Sequence, residues 1–184
     1  TPGVDKFKNC SSTETSKNGS TFCTKCDAGQ FMSSNRACTL CALGTVSTYG
    51  DSRCTDCKAG YYSNGANSSC IACGAGKYGI QTLKISSDSC KACPSGTYSS
   101  AKGVSSLNDC NKCAAGKKNP HQGATLSSNC TKCAVNTKSK VEGSSACVSC
   151  GVDEQADAGS AKCDRTPCKT GKFHNIETET CQKC

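Results

Sequence analysis

The chain has 184 residues, of which 21 are Cys and only 20 are Leu, Ile, Val or Phe. So few large aliphatics cannot bury enough apolar surface to offset the entropy of folding, which excludes an enzyme domain built around one hydrophobic centre. The net charge of +8 comes from 19 Lys and 3 Arg set singly along the chain. That is the dispersion of a solubilising surface, not the clustered basic face of a nucleic-acid reader, so no nucleic-acid partner is expected.

The chain opens Thr1-Pro2-Gly3 without an initiator Met, a basic segment or an apolar segment. It reads as a mature chain after signal removal or as a slice of a longer one. No stretch approaches the roughly 18 apolar residues of a membrane span, so membrane attachment is expected only through an anchor outside this sequence. Asn9-Cys10-Ser11 and Asn18-Gly19-Ser20 are the first two of four N-glycosylation acceptors, followed by Asn67-Ser68-Ser69 and Asn129-Cys130-Thr131. Together with the cysteine content they point to secretion or surface exposure, with N-glycans at Asn9, Asn18, Asn67 and Asn129.

After the solitary Cys10, Cys-x-x-Cys doublets open at Cys23, Cys38, Cys54, Cys70, Cys90, Cys110, Cys130, Cys147 and Cys181. Successive starts up to Cys147 are separated by 15, 16, 16, 20, 20, 20 and 17 residues, and the next doublet is stretched to Cys163 and Cys168. This is the self-similarity of a repeat protein. The text after the second cysteine also recurs, as CDAGQF, CKAGYY, CGAGKY, CPSGTY, CAAGKK and CKTGKF. Its third residue is Gly at 29, 44, 60, 76, 96, 116 and 171, and Asn136 or Asp153 in the other two units. Gly, Asn and Asp tolerate positive φ, so a left-handed turn is predicted immediately after each of these cysteines.

Two residues further on stand Phe31, Tyr62, Tyr78, Tyr98 and Phe173. The rings are expected to lie over the disulfides and to supply most of a very small core, with carbohydrate stacking as the functional alternative. Residues 114–162 lack the aromatic and are expected to be the least tightly packed stretch. No window sustains a 3.6-residue apolar period, so little or no helix is predicted, with short strands and turns in its place. The fold class is small disulfide-rich repeats, an elongated rod of stapled loops.

Closing each loop from the second cysteine of one doublet to the first of the next pairs Cys10–Cys23, Cys26–Cys38, Cys41–Cys54, Cys57–Cys70, Cys73–Cys90, Cys93–Cys110, Cys113–Cys130, Cys133–Cys147, Cys150–Cys163 and Cys168–Cys181. This divides one continuous array into ten repeats (10–23, 26–38, 41–54, 57–70, 73–90, 93–110, 113–130, 133–147, 150–163 and 168–181) and leaves Cys184 unpaired. Cys184 would open a further loop, so the native chain is expected to continue. A staggered pattern linking adjacent loops stays open, because spacing does not fix connectivity. Each closed loop of about 15 residues would gain roughly 3 kcal/mol in the chain-entropy model.

The spacing from Cys57 to Cys73 also suits a zinc ribbon. Solitary Cys10, the stretched Cys163–Cys168 interval and the glycosylation acceptors count against metal as the organiser, and no metal or other cofactor is expected. Nine similar doublets likewise argue against a redox dithiol. His121 and His174 sit in polar surroundings and read as surface residues. Asp153, Glu154 and Asp157 form an acidic cluster that reads as a solvated loop. No nucleophile, phosphate loop or acid–base pair emerges, so no enzymatic activity is expected.

CPSGTYSS followed by Cys110 resembles the cysteine-rich loops of ephrin-receptor and tumour-necrosis-factor-receptor ectodomains. In those loops the cysteine before Gly-x-Tyr closes on the next cysteine downstream, which by analogy favours the sequential pairing. The near-periodic doublets, the Ala-Gly-x-Tyr text and the Ser/Thr/Asn/Lys-rich filling resemble the ciliate surface (immobilisation) antigens over residues 10–184. That resemblance implies a secreted protein held on the cell surface by a glycolipid and packed beside copies of itself or other coat proteins. The variant surface proteins of gut parasites also use Cys-x-x-Cys repeats, but their membrane-proximal signature is not in this chain. The expected function is an extracellular structural coat or surface antigen. An adhesive or receptor-like module binding a protein or glycan is one alternative, and a subunit of an extracellular fibre is another.

Overall fold

The computed structural model describes residues 14–15, 23–82, 85–168, 170–175, 177 and 180–183. Consecutive short strands pair as antiparallel two-stranded sheets in chain order, from Glu14–Thr15 with Thr24–Lys25 to Lys172–Asn175 with Thr180–Lys183. Most strands have two residues. The helical content among the described residues is three single 3-10 turns, Ser87–Ser89, Leu107–Asp109 and Ser127–Asn129. No helix of the described residues is long and apolar enough to cross a membrane. The fold is a succession of small disulfide-rich repeats.

One repeat shows how the sequence builds the others. After Cys41 the chain turns at once, with Thr45 N–H donating to the Ala42 carbonyl at 3.1 Å and the Thr45 hydroxyl donating to the same oxygen at 2.8 Å. The third residue of the turn, Gly44, has φ +82°. The strand Thr45–Val46 then pairs with Thr55–Asp56, and Cys41 and Cys54 close the neck of the hairpin. The ladder runs on through Cys57 N–H donating to the Gly44 carbonyl at 2.9 Å. The same turn recurs with Thr97 over Pro94 and Thr137 over Ala134. Among the described residues the turn position has positive φ in each repeat from Gly29 to Gly171, including Asn136 at 59° and Asp153 at 62°.

The chain forms two compact units, one comprising Thr1–Ala92 and Ala101–Asp109, the other Cys93–Ser100 and Cys110–Cys184. Within each unit, successive repeats interlock through the backbone. The turn residue donates to the carbonyl six residues past the doublet in the next repeat. In the first unit these bonds are Gly29 to Ser47, Gly44 to Ser63 and Gly60 to Gly79, at 2.7–2.9 Å. In the second they are Gly96 to Asn119, Gly116 to Ser139 and Asn136 to Ala156, also at 2.7–2.9 Å. In five places a loop glycine of the following repeat returns a bond to the doublet cysteine behind it. Gly50 N–H reaches the Cys26 carbonyl and Gly103 that of Cys73, while Gly123, Gly143 and Gly159 reach those of Cys93, Cys113 and Cys133.

Contacts also skip a repeat. A Cβ on Gly60 would overlap the carbonyl of Gly103, and one on Gly29 would overlap the backbone of Ala66. In the second unit Gly96 stands equally close to Gly143, and Gly116 to Gly159. Gly29, Gly60, Gly96 and Gly116 are therefore fixed twice, by their dihedral angle and by the backbone lying against them.

The core differs from the expected one in what fills it. The second doublet cysteines Cys26, Cys57, Cys73, Cys93, Cys113 and Cys133 are buried, and so are Ser47, Ser63, Ser99, Asn119 and Ser139. Phe31, Tyr62, Tyr78 and Tyr98 are only half-buried, so the aromatics do not supply most of the core; the side chain of Phe173 lies outside the described residues. Small polar side chains and backbone take that place: Cys41 Sγ stands 3.3 Å from Ser47 Oγ, and the next repeat's Gly50 N–H reaches the Cys26 carbonyl. For the same reason residues 114–146 are not loosely packed, since Cys113, Asn119, Cys133 and Ser139 are as buried as their counterparts in repeats that carry an aromatic. Cys147, Cys150 and Cys163 are half-buried, as Cys38, Cys54 and Cys70 are.

Candidate functional site

Nine disulfides are formed among the described residues: Cys26–Cys38, Cys41–Cys54, Cys57–Cys70, Cys73–Cys90, Cys93–Cys110, Cys113–Cys130, Cys133–Cys147, Cys150–Cys163 and Cys168–Cys181. Each joins the second cysteine of one doublet to the first of the next, with Cα–Cα distances of 5.4–5.9 Å, inside the ordinary range for cystine. Cys23 is also disulfide-bonded. The expected Cys10–Cys23 pair and the free Cys184 fall on Cys10 and Cys184, which lie outside the described residues.

The sulfurs of the ribbon-like stretch are engaged, Cys57 with Cys70 and Cys73 with Cys90. Among the described residues, Cys150, Glu154 and Cys163 bring three potential ligand atoms within 4.8 Å of one another. Two of these are the sulfurs of one cystine, which has no thiolate to offer a metal. Glu154 Oε2 accepts the Gly151 N–H at 2.9 Å. Its carboxylate thus braces the turn that follows Cys150.

The acidic cluster is divided. Asp157 lines an open cleft of about 170 Å³ with Val135, Asn136 and Asp164. Asp153 lines a second cleft, of about 350 Å³, with Thr166, Pro167 and Lys172. His121 is exposed, and its backbone N–H donates to Asn119 Oδ1 at 3.1 Å; the side chain of His174 lies outside the described residues. Neither cleft brings a nucleophile, base and oxyanion donor together.

The residues that sequence reasoning overlooked are those that join the repeats. Ser47 Oγ donates to the Gln30 carbonyl at 2.8 Å, Ser63 Oγ to that of Thr45 at 2.9 Å and Asn119 Nδ2 to that of Thr97 at 2.9 Å. Each bond runs from the sixth residue past one doublet to the fourth residue past the doublet before it. No buried side-chain N or O among the described residues lacks a partner. The signal was present as a Ser six residues after the second cysteine at 47, 63, 99 and 139. The lysine before that cysteine has a place too. Lys25, Lys112 and Lys132 lay their methylenes over Gly50, Gly143 and Gly159 of the next repeat while their ammonium groups stay in water.

The stretched doublet also resolves. Thr166 stands where the second cysteine would fall, three residues after Cys163. Its N–H and hydroxyl donate to the Asp153 carbonyl at 2.8 and 2.9 Å, the bond that the cysteine N–H makes elsewhere. Pro167 and Cys168 follow as a two-residue insertion. No backbone bond to the Cys150 carbonyl occurs among the described residues, and this cysteine is half-buried.

No protein-family model matches the chain, and no curated protein is similar to it in sequence. So many disulfides fit an oxidising, secreted or extracellular environment.

Proposed function

We propose that the protein is a non-enzymatic structural component of an extracellular coat, a surface antigen built from stapled repeats. One observation carries this reading: each repeat is closed by its own cystine, and the joints between repeats are made by backbone groups and a few buried Ser and Asn side chains. Loop side chains between these points contribute little to the joint and point to solvent, with Leu43, Tyr49, Val135 and Val152 all exposed. Such a scaffold tolerates sequence change on its outside, as a coat facing a hostile medium requires. Its mechanism is steric and mechanical, through covalent loops that resist proteolysis. Its partners are copies of itself or other coat proteins.

An antibody raised against the disulfide-intact chain should label unpermeabilised source cells in a continuous layer. Labelling that appears only after permeabilisation would overturn the reading, and labelling confined to a few contact sites would favour the adhesive alternative.

A further inference from the structure

Two of the four N-glycosylation acceptors lie among the described residues, and their carboxamides are used in opposite senses. N-linked modification substitutes the nitrogen of Asn and leaves its oxygen as an acceptor. Asn129 is exposed at the end of the turn Ser127–Asn129, and its Oδ1 accepts the Leu126 N–H at 3.0 Å. The fold therefore uses the atom that modification spares. Thr131, whose hydroxyl completes the acceptor sequence, is exposed as well.

At Asn67 the fold uses the nitrogen. Nδ2 donates to Ser63 Oγ at 3.4 Å, and Ser63 is 0% exposed. Ser63 Oγ in turn donates to the Thr45 carbonyl at 2.9 Å and accepts the Gly65 N–H at 3.2 Å. The Asn67 carbonyl also accepts the Ser47 N–H at 3.3 Å. A sugar on Asn67 would enter the joint between the repeats that begin at Cys41 and Cys57.

We propose that in the folded protein Asn129 carries an N-linked glycan and Asn67 does not, the Asn67 carboxamide serving as a structural part of the joint. The step joins Asn129 Nδ2 to the anomeric carbon of an oligosaccharide on a lipid diphosphate. It breaks that carbon's bond to phosphate oxygen, releases the lipid diphosphate and gives up one Nδ2 proton. The proposal rests on the secreted reading above.

The test takes the protein from its own source with its disulfides intact, then reduces, alkylates and digests it. A glycan-releasing amidase in heavy-oxygen water converts each glycan-bearing Asn into labelled Asp, which peptide mass mapping locates. Label at Asn129 with none at Asn67 is the expected result. Label at Asn67, or an unlabelled Asn129 in protein from the cell surface or medium, overturns the proposal alone. Absence of label at all four acceptors in protein recovered from inside the cell overturns the secreted reading beneath it. Two variants confirm the assignment without altering either Asn: Thr131→Ala should remove one glycan from the intact mass, and Ser69→Ala should remove none.

Discussion

The turn glycines do more than bend the chain. Gly60 has φ +85°, and a Cβ there would overlap the carbonyl of Gly103, two repeats along. A side chain at positive φ costs about 1–2 kcal/mol by itself, and the overlap must then displace backbone. Gly60→Ala should therefore lower the yield of correctly paired protein on oxidative refolding. It should also deprotect the Gly103 amide, which donates to Cys73 at 2.8 Å, in hydrogen exchange. Gly74→Ala, with open space around the new methyl, should change neither by more than an equivalent of about 0.5 kcal/mol. Equal effects at the two positions would show that the close approach is not structural. The left-handed turn was legible in the sequence because Gly, Asn and Asp are the residues that accept it. The burial of Ser and Asn was not, although Ser recurs six residues after the second cysteine at 47, 63, 99 and 139, because in a Ser- and Thr-rich text that recurrence does not mark an inward-facing side chain; only the position of its partner, a carbonyl one repeat back, explains it.

At the scale of one repeat, a hairpin of two-residue strands has no independent stability. It is held by its cystine and by the bonds to its neighbours. Replacing Cys93 and Cys110 together by Ser opens a loop of sequence separation 17, which removes roughly 3 kcal/mol in the chain-entropy model. In a repeat architecture the damage should stay local. Amides at Cys113 and Gly123, bonded to Gly96 and Cys93, should lose exchange protection, while the Thr166 amide on Asp153 keeps it. Loss of protection through the whole second unit would mean a cooperative domain in place of an array. Doublet spacing made the repeats readable, but their joints are invisible to spacing because they pair positions six, nine or ten residues past different cysteines. Thr166 shows the same limit: the stretch from Cys163 to Cys168 looks like a longer linker, whereas Thr166 keeps the ladder in register and the insertion begins after it.

For the molecule as a whole, the decisive quantity is how many sulfurs are in bonds. The aliphatic content is too low to fold the chain, and the buried groups are mainly cystines and small polar side chains. Reduction should therefore unfold the chain and expose it to protease, while the oxidised form resists digestion at lysines next to the doublets. The aromatics misled the reading of the core because a ring near a cysteine normally signals packing, yet here the buried cysteines share the core with small Ser and Asn side chains and the rings stay half-buried. The most direct test is to denature the unreduced protein with an alkylating reagent and a chelator, remove any glycans and weigh it. No more than one alkyl group is expected, at Cys184, with peptide mapping recovering the nine pairs from Cys26–Cys38 to Cys168–Cys181. Alkylation of most of the 21 cysteines would contradict the disulfide array and favour metal as the organiser of the fold.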